Sequence, residues 1–313
     1  MPINLKPVGQ EDETKARKKD QGRNLFQLTE PKYTFEDIVL SEETVSAVRE
    51  IIALEDCKTL IFDEWGLGQV LHKKNSITVN LYGKSGTGKT MTAHAIADKL
   101  NKKLLIVDYS EIESKYVGET SKNLVNLFNN AKLKDAIILF DEADALLSKR
   151  VTAMNNATDV SVNQTRNVLL KLLDDYDGIV LFTTNFIQNF DSAFFRRIMD
   201  HIKFDFPKKE MRKKLWEHYL VEQLPVIGTR TEIIERLSNI EEVTGADIAN
   251  AVLKTAVHMA VMGEHLADYT NFENEIKKIL IARRDMDLNG FEITSRKVSE
   301  EFVREKIGKD MGK

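Results

Sequence analysis

Two short stretches hold the residue types that phosphate chemistry needs. Gly83-Lys84-Ser85-Gly86-Thr87-Gly88-Lys89-Thr90 fits G-x-x-x-x-G-K-[ST], directly after a short apolar run and before a helical pattern. Gly83, Gly86 and Gly88 let main-chain N–H groups, with those of Ser85 and Thr87, turn inward around phosphate oxygens. The helix start that follows, with Met91 in its first turn, adds partial positive charge. Lys89 is placed for the β- and γ-phosphates of ATP, and Thr90 for Mg²⁺. The second stretch, Ile137-Ile138-Leu139-Phe140-Asp141-Glu142-Ala143-Asp144, ends an apolar run in a carboxylate pair. Such a pair alone can simply start a helix. At the carboxyl edge of a sheet beside a phosphate loop, Asp141 is the Mg²⁺ ligand and Glu142 the group that orients and deprotonates the attacking water.

Those residues need a sheet to bring them together, and the chain supplies one. Apolar runs over Ile77–Tyr82, Leu104–Asp108, Ala136–Asp141, Gly178–Thr184 and His201–Phe206 are short and rich in branched or aromatic residues, which predicts five buried parallel strands. Helical patterns at Met91–Leu100, Lys122–Ala131 and Val168–Asp175 lie between them as crossovers, so the fold class is α/β with helices on both faces of the sheet. After Pro207 the strand signals stop. Lys209–Val221, Thr231–Leu237, Ala246–Val261 and Asn274–Arg284 predict a smaller all-helical lid. Residues 1–30 are polar and mixed in charge and predict a flexible arm, which leaves 31–206 for the nucleotide-binding part and 207–313 for the lid and C-terminal tail.

Composition excludes more than it assigns. The chain has 313 residues, 42% hydrophobic and 30% charged, with 45 Lys and Arg against 49 Asp and Glu, so a net charge of −4 gives no overall pull towards nucleic acid or an acidic membrane. No apolar run reaches the roughly 18 residues that a membrane span needs. The lone Cys57 rules out an internal disulfide framework, fits a cytoplasmic protein and reads as a small buried apolar residue. His94, His201 and His258 are isolated and read as packed or surface residues, not ligands.

The order of further landmarks resembles the AAA+ superfamily, in its clade of protein unfoldases and microtubule-severing ATPases, as a single-ring member, over roughly residues 33–260. Tyr33-Thr34-Phe35-Glu36-Asp37-Ile38-Val39 is similar to the linker that lies against adenine, which implies contacts from Asp37 and Ile38. Thr183-Thr184-Asn185 resembles the sensor element, making Asn185 the residue that polarises the water. Asp191-Ser192-Ala193-Phe194-Phe195-Arg196-Arg197 resembles the second region of homology, whose arginines reach the γ-phosphate in the neighbouring subunit. This implies Arg196 as the finger and Arg197 as a second one. The family generally has another arginine three positions after the first, and Met199 stands there. Thr244-Gly245-Ala246-Asp247-Ile248 resembles the start of the lid helix, implying adenine contacts from Gly245 and Ala246; by composition it is also an ordinary helix start.

Ser114-Lys115-Tyr116-Val117-Gly118-Glu119 is similar to the central-pore loop of that clade, with Tyr116, flanked by Lys115 and Val117, set to grip an extended polypeptide through its apolar face. Residues 151–164, rich in Asn, Thr and Ser, are either a second pore-facing loop or plain surface. The resemblance implies a homo-oligomeric ring, a hexamer, that threads protein substrates, together with a separately encoded protease or adaptor. Two other functions share the phosphate chemistry: a nucleic-acid-associated loader, against which the near-neutral charge weighs, and an ATP-switched scaffold, against which Glu142 weighs.

Overall fold

The computed structural model describes residues 26–71, 76–108, 119–148, 157–185, 190–263 and 265–295. They fall into two compact units that meet at the Asp205–Phe206 bond. In the first, strands β1 (Gln27–Thr29), β2 (Ile77–Gly83), β3 (Leu104–Asp108), β4 (Ile137–Asp141), β5 (Ile179–Thr184) and β6 (Asp200–Phe204) form one six-stranded sheet in the order β1-β3-β4-β5-β2-β6. The five expected strands are present and pair in parallel. The sixth, β1, pairs antiparallel with β3 through Gln27↔Ile106 and Thr29↔Leu104, so the chain has joined the sheet before residue 30. Three residues of mixed polarity carry no readable period-2 signal, and the edge they cap supplies the order.

The strands are apolar without a break because both faces are covered. Along β4, Ile137 and Leu139 enter one core with Ile77, Val79, Leu81, Ile179 and Leu181, while Ile138 and Phe140 enter the other with Leu105, Val180 and Phe182. The first core is closed by α1 (Glu42–Asp56) and α3 (Lys89–Lys99), through Val48, Ile51, Ala93, Ile96 and Ala97. The second is closed by α4 (Glu119–Leu133) and α6 (Ala157–Asp175), with Phe140 and Phe182 stacked at 5.1 Å. Between α1 and β2 lie a π-helical turn, Thr59–Glu64, and the short α2 (Leu67–Leu71). Short turns α5 (Asp144–Leu147) and α7 (Ser192–Phe195) follow β4 and precede β6.

Two expectations change. Cys57 is exposed: it caps the surface end of α1, where its N–H bonds the Ala53 carbonyl. Of the polar stretch 151–164, residues 157–164 are the first turns of α6, so only 151–156, outside the described residues, remain for a loop. Polar residues on an exposed helix face are indistinguishable in composition from a surface loop.

The second unit contains α8 (Lys209–Tyr219), α9 (Arg230–Leu237), α10 (Gly245–Met262) and α11 (Tyr269–Ser295) around Trp216, Leu220, Leu237, Ile248, Phe272 and Ile276. Trp216 and Phe272 meet edge to face at 6.2 Å. A capping box starts α10: Thr244 and Asp247 exchange side-chain and main-chain bonds, and Asp247 also pairs with Arg283 of α11.

Candidate functional site

The carboxyl ends of β2, β4 and β5 deliver the site. Parallel pairing aligns Tyr82 with Thr184, so the phosphate loop leaves β2 where Asn185 leaves β5, and Asp141 ends β4 on the far side of β5. The loop needs glycine at two points for different reasons. At Gly83, φ is +147° and a Cβ would stand 2.0 Å from the Phe204 carbonyl oxygen of the neighbouring strand. At Gly88 space is open but φ is +100°, the left-handed turn that feeds α3. Thr87 Oγ1 donates to the Lys84 carbonyl at 2.8 Å, which closes the loop on itself. Ser85 is exposed, and Gly86, Thr87 and Met91 are half-buried along the loop and the first turn of α3.

Lys89 is buried, and its Nζ donates to the carbonyls of Gly83 (2.8 Å) and Lys84 (2.9 Å) and to Asn185 Oδ1 (3.0 Å). Burial pushes its pKa below the usual lysine value; the fields of Asp144, Asp141 and Glu142 oppose that shift. Thr90 Oγ1 donates to Asp141 Oδ1 at 2.9 Å. This hydroxyl and carboxylate are the hard oxygen donors that Mg²⁺ takes, and their direct contact places both on one centre, so these residues fit the ion.

Thr183 holds the acidic pair. Its hydroxyl donates to Asp141 Oδ1 and accepts the Glu142 N–H at 2.9 Å, while its carbonyl takes the Ala143 N–H at 2.8 Å. Glu142 adopts φ +52°, a conformation that costs a non-glycine residue on the order of 1–3 kcal/mol and persists only where neighbours enforce it. Both oxygens of Asp144 accept the Asn185 N–H, at 3.0 and 3.1 Å. The roles of Thr183 and Asp144 escape sequence reading. The available signal was a hydroxyl at the end of one strand and a second carboxylate one helical turn past the other.

Residues 79–206 match the AAA family, ATPase family associated with various cellular activities. A putative 26S proteasome regulatory subunit homolog from Methanocaldococcus jannaschii is 32% identical over 265 residues, 81% of this chain and 66% of the relative. The chain belongs to the AAA ATPases. A proteasome-activating nucleotidase from Saccharolobus islandicus is 31% identical over 268 residues, 83% of this chain and 66% of the relative. Cell division protein C from Sulfolobus acidocaldarius is 31% identical over 255 residues, 77% of this chain and 63% of the relative. The chain thus spans about two thirds or slightly less of the length of these relatives.

In this AAA ATPase the segment carrying the two arginines is anchored by Phe194, fully buried, and by the Asp191 side chain, which accepts the Ala193 N–H at 2.8 Å. The arginines then part. Arg197 is bonded within its own chain: Nε and Nη2 bond Asp174 of α6 at 2.8–3.0 Å, and Nη1 bonds the Ala193 carbonyl. Arg196 is exposed, and its guanidinium makes no hydrogen bond or ion pair with the described residues. Phe195, the residue before it, and Met199, three after it, are 52% and 47% exposed.

The linker turn is preformed, with Asp37 Oδ2 accepting the Thr34 N–H at 2.7 Å and Ile38 half-buried beside it. Gly245 and Ala246 open α10 under the capping box. Lys115, Tyr116 and Val117 lie outside the described residues. Of the isolated histidines, His94 is buried, His201 half-buried and His258 exposed.

Proposed function

We propose that this AAA ATPase hydrolyses ATP at a site completed only by a second copy, and that the resulting homomeric ring, a hexamer, drives protein remodelling in the cytoplasm. The observation that carries this is the contrast at the two arginines: Arg197 is bonded to Asp174, whereas Arg196 is exposed and pairs with none of the described residues. A guanidinium that bonds none of the described residues of its own chain is suited to a phosphate on the next.

Within one subunit, Lys89 binds the β- and γ-phosphates, and Thr90 and Asp141 hold Mg²⁺, which when bound neutralises phosphate charge. Asn185 orients a water and Glu142 removes its proton as the oxygen attacks phosphorus; the bond to the ADP oxygen breaks and phosphate leaves. Asp37 and Ile38 receive adenine. Arg196 stabilises the charge on the neighbour's transferring phosphoryl group, and Arg197, on leaving Asp174, joins it as a second finger. Hydrolysis then loosens the joint between subunits, and the Lys115-Tyr116-Val117 loops move along a threaded polypeptide. The likeness to a proteasome regulatory subunit homolog and a proteasome-activating nucleotidase supports protein substrates and a separately encoded partner such as a protease.

The test is ATPase rate against protein concentration for wild type, Arg196→Ala, Glu142→Gln and their equal mixture. Two inactive single variants, partial recovery on mixing and a wild-type specific rate that rises with concentration are expected. Full activity of Arg196→Ala, with a specific rate constant on dilution, would sink the shared site.

A further inference from the structure

The phosphate helix α3 does a second job at its other turn. Thr90 and His94 are four residues apart, so they share one side of the helix and lie about 6 Å apart along its axis. His94 is only 3% exposed, and its Nδ1 accepts the main-chain N–H of Lys32 at 3.2 Å. The Tyr33 ring meets the imidazole edge to face at 5.7 Å. Phe35 and Leu40, further along the same strap, pack on the core that contains Ala93, Ile96 and Ala97 of α3. Between those anchors, Thr34 and Asp37 close the turn that presents Ile38.

We propose that His94 is a positioning residue for the base of the nucleotide: by accepting the Lys32 N–H it fixes the strap of residues 32–40 to α3, one turn from Thr90. The helix that holds the phosphates thereby also sets where the base-contacting turn sits, and base preference follows from that spacing. This rests on the reading of Asp37 and Ile38 as adenine contacts. The chemistry requires an acceptor at this point. A neutral imidazole protonated on Nε2 offers one at Nδ1, whereas lysine or arginine there has only donors and would leave the Lys32 N–H without its bond. Burial holds the ring in that neutral form; the charge of Lys32 acts in the same direction, and that of Asp141 opposes it. An unmade bond at the strap moves the base contacts and leaves the phosphate contacts in place.

The experiment is calorimetric titration of the full chain, in a Glu142→Gln background that preserves the triphosphate, with ATP, GTP and tripolyphosphate. His94→Leu is expected to weaken ATP about fivefold, the worth of one hydrogen bond, and to narrow the ATP-to-GTP ratio while tripolyphosphate binding is unchanged. His94→Asn, whose Oδ1 takes the place of Nδ1, restores ATP to within about twofold. Lys32→Pro removes the donor from the other side and reproduces His94→Leu, and the double variant is no worse than either single. If His94→Leu does not fold, His94→Asn and Lys32→Pro carry the comparison. Unchanged ATP binding in Lys32→Pro, or equal losses of ATP and tripolyphosphate, would overturn the proposal. Asp37→Ala separates it from the reading beneath. A shift of base preference in Asp37→Ala, with none in the His94 and Lys32 variants, removes His94 and keeps the strap; no shift in any of them removes both.

Discussion

The phosphate pocket and the arginine edge are built on opposite plans. In the pocket the groups that would hold phosphate and metal are tied to one another: Lys89 to two loop carbonyls and Asn185, Thr90 to Asp141, the Asp141 carboxylate and the Glu142 main-chain N–H to Thr183, and the Asn185 N–H to Asp144. At the edge the backbone is equally fixed, by buried Phe194 and the capping Asp191, yet Arg196 extends from it without a partner among the described residues. The proposed function matches this difference: the groups proposed to hold phosphate and metal are preorganised within the chain, and the arginine proposed for a neighbouring copy is held at its root.

The sharpest way to break this comparison is to remove Arg196. Arg196→Ala is expected to lower the ATPase rate by about 10³- to 10⁵-fold, the usual worth of an arginine supplied in trans, while ATP affinity of the variant's own pocket is unchanged in equilibrium binding. A matching loss of affinity would place Arg196 in its own pocket and erase the contrast. Glu142→Gln follows, with a loss of about 10²- to 10⁴-fold in rate and retained ATP binding. Strain at φ +52° is kept by glutamine, so unfolding stability should move little, which circular dichroism during thermal melts checks.

Asp144 tests whether the pocket is as interdependent as its bonds suggest. Both of its oxygens accept the Asn185 N–H, and its charge also acts on Lys89, so Asp144→Ala is expected chiefly to let Asn185 drift. An expected loss of about 10- to 100-fold in kcat with a small change in KM, as for outer ligands that orient inner ones, separates positioning from binding. A rise in KM with kcat intact would show that Asp144 serves the nucleotide instead.

How much of this was legible beforehand depended on whether the signal was local. The phosphate loop, the acidic pair and five strands announce themselves within a few consecutive residues, because glycine, lysine and unbroken apolar runs are each forced by local geometry. The Asp144–Asn185 bond spans 41 residues and the Lys32–His94 bond 62, and nothing in either partner's neighbourhood names the other. Cys57 shows the converse error: an average preference for burial gives way to a position at a helix end. The strand β1 is too short to show a period, and α6 starts in residues whose polarity suits a loop as well as an exposed helix face.

The loop glycines sharpen the account of the pocket as a packed object. Gly83→Ala drives a methyl against the Phe204 carbonyl at 2.0 Å, at the last pair of the β2–β6 register, and should cost more than about 3 kcal/mol in urea unfolding. Gly88→Ala meets open space and suffers only from its φ of +100°, about 1–2 kcal/mol. Equal costs would mean that strand contact at Gly83 relaxes freely.

The smallest expected effect is on pH. His94 and His201 both have pKa values lowered from 6.5, chiefly because burial disfavours the cation; Lys32 adds to the shift at His94, while at His201 the Phe195 main chain and Asp200 oppose it. The folded chain therefore binds fewer protons than the unfolded chain just below pH 6.5, and stability must fall as pH drops through that range. The paired carboxylates Glu235, Asp268 and Glu273 are shifted down from values near or below 4.5 and lose their contribution only at lower pH, which leaves the window between pH 6.5 and about 5 to the histidines. Melting temperature should thus decline from pH 7.5 to 5.5 in wild type and decline less in His94→Asn, which keeps the acceptor for Lys32 and cannot take up a proton. An equal decline in both proteins would assign the effect to His201, whose ring stacks at 4.4 Å on Phe195, the residue before Arg196, and would move the acid-sensitive point from the pocket to the arginine edge.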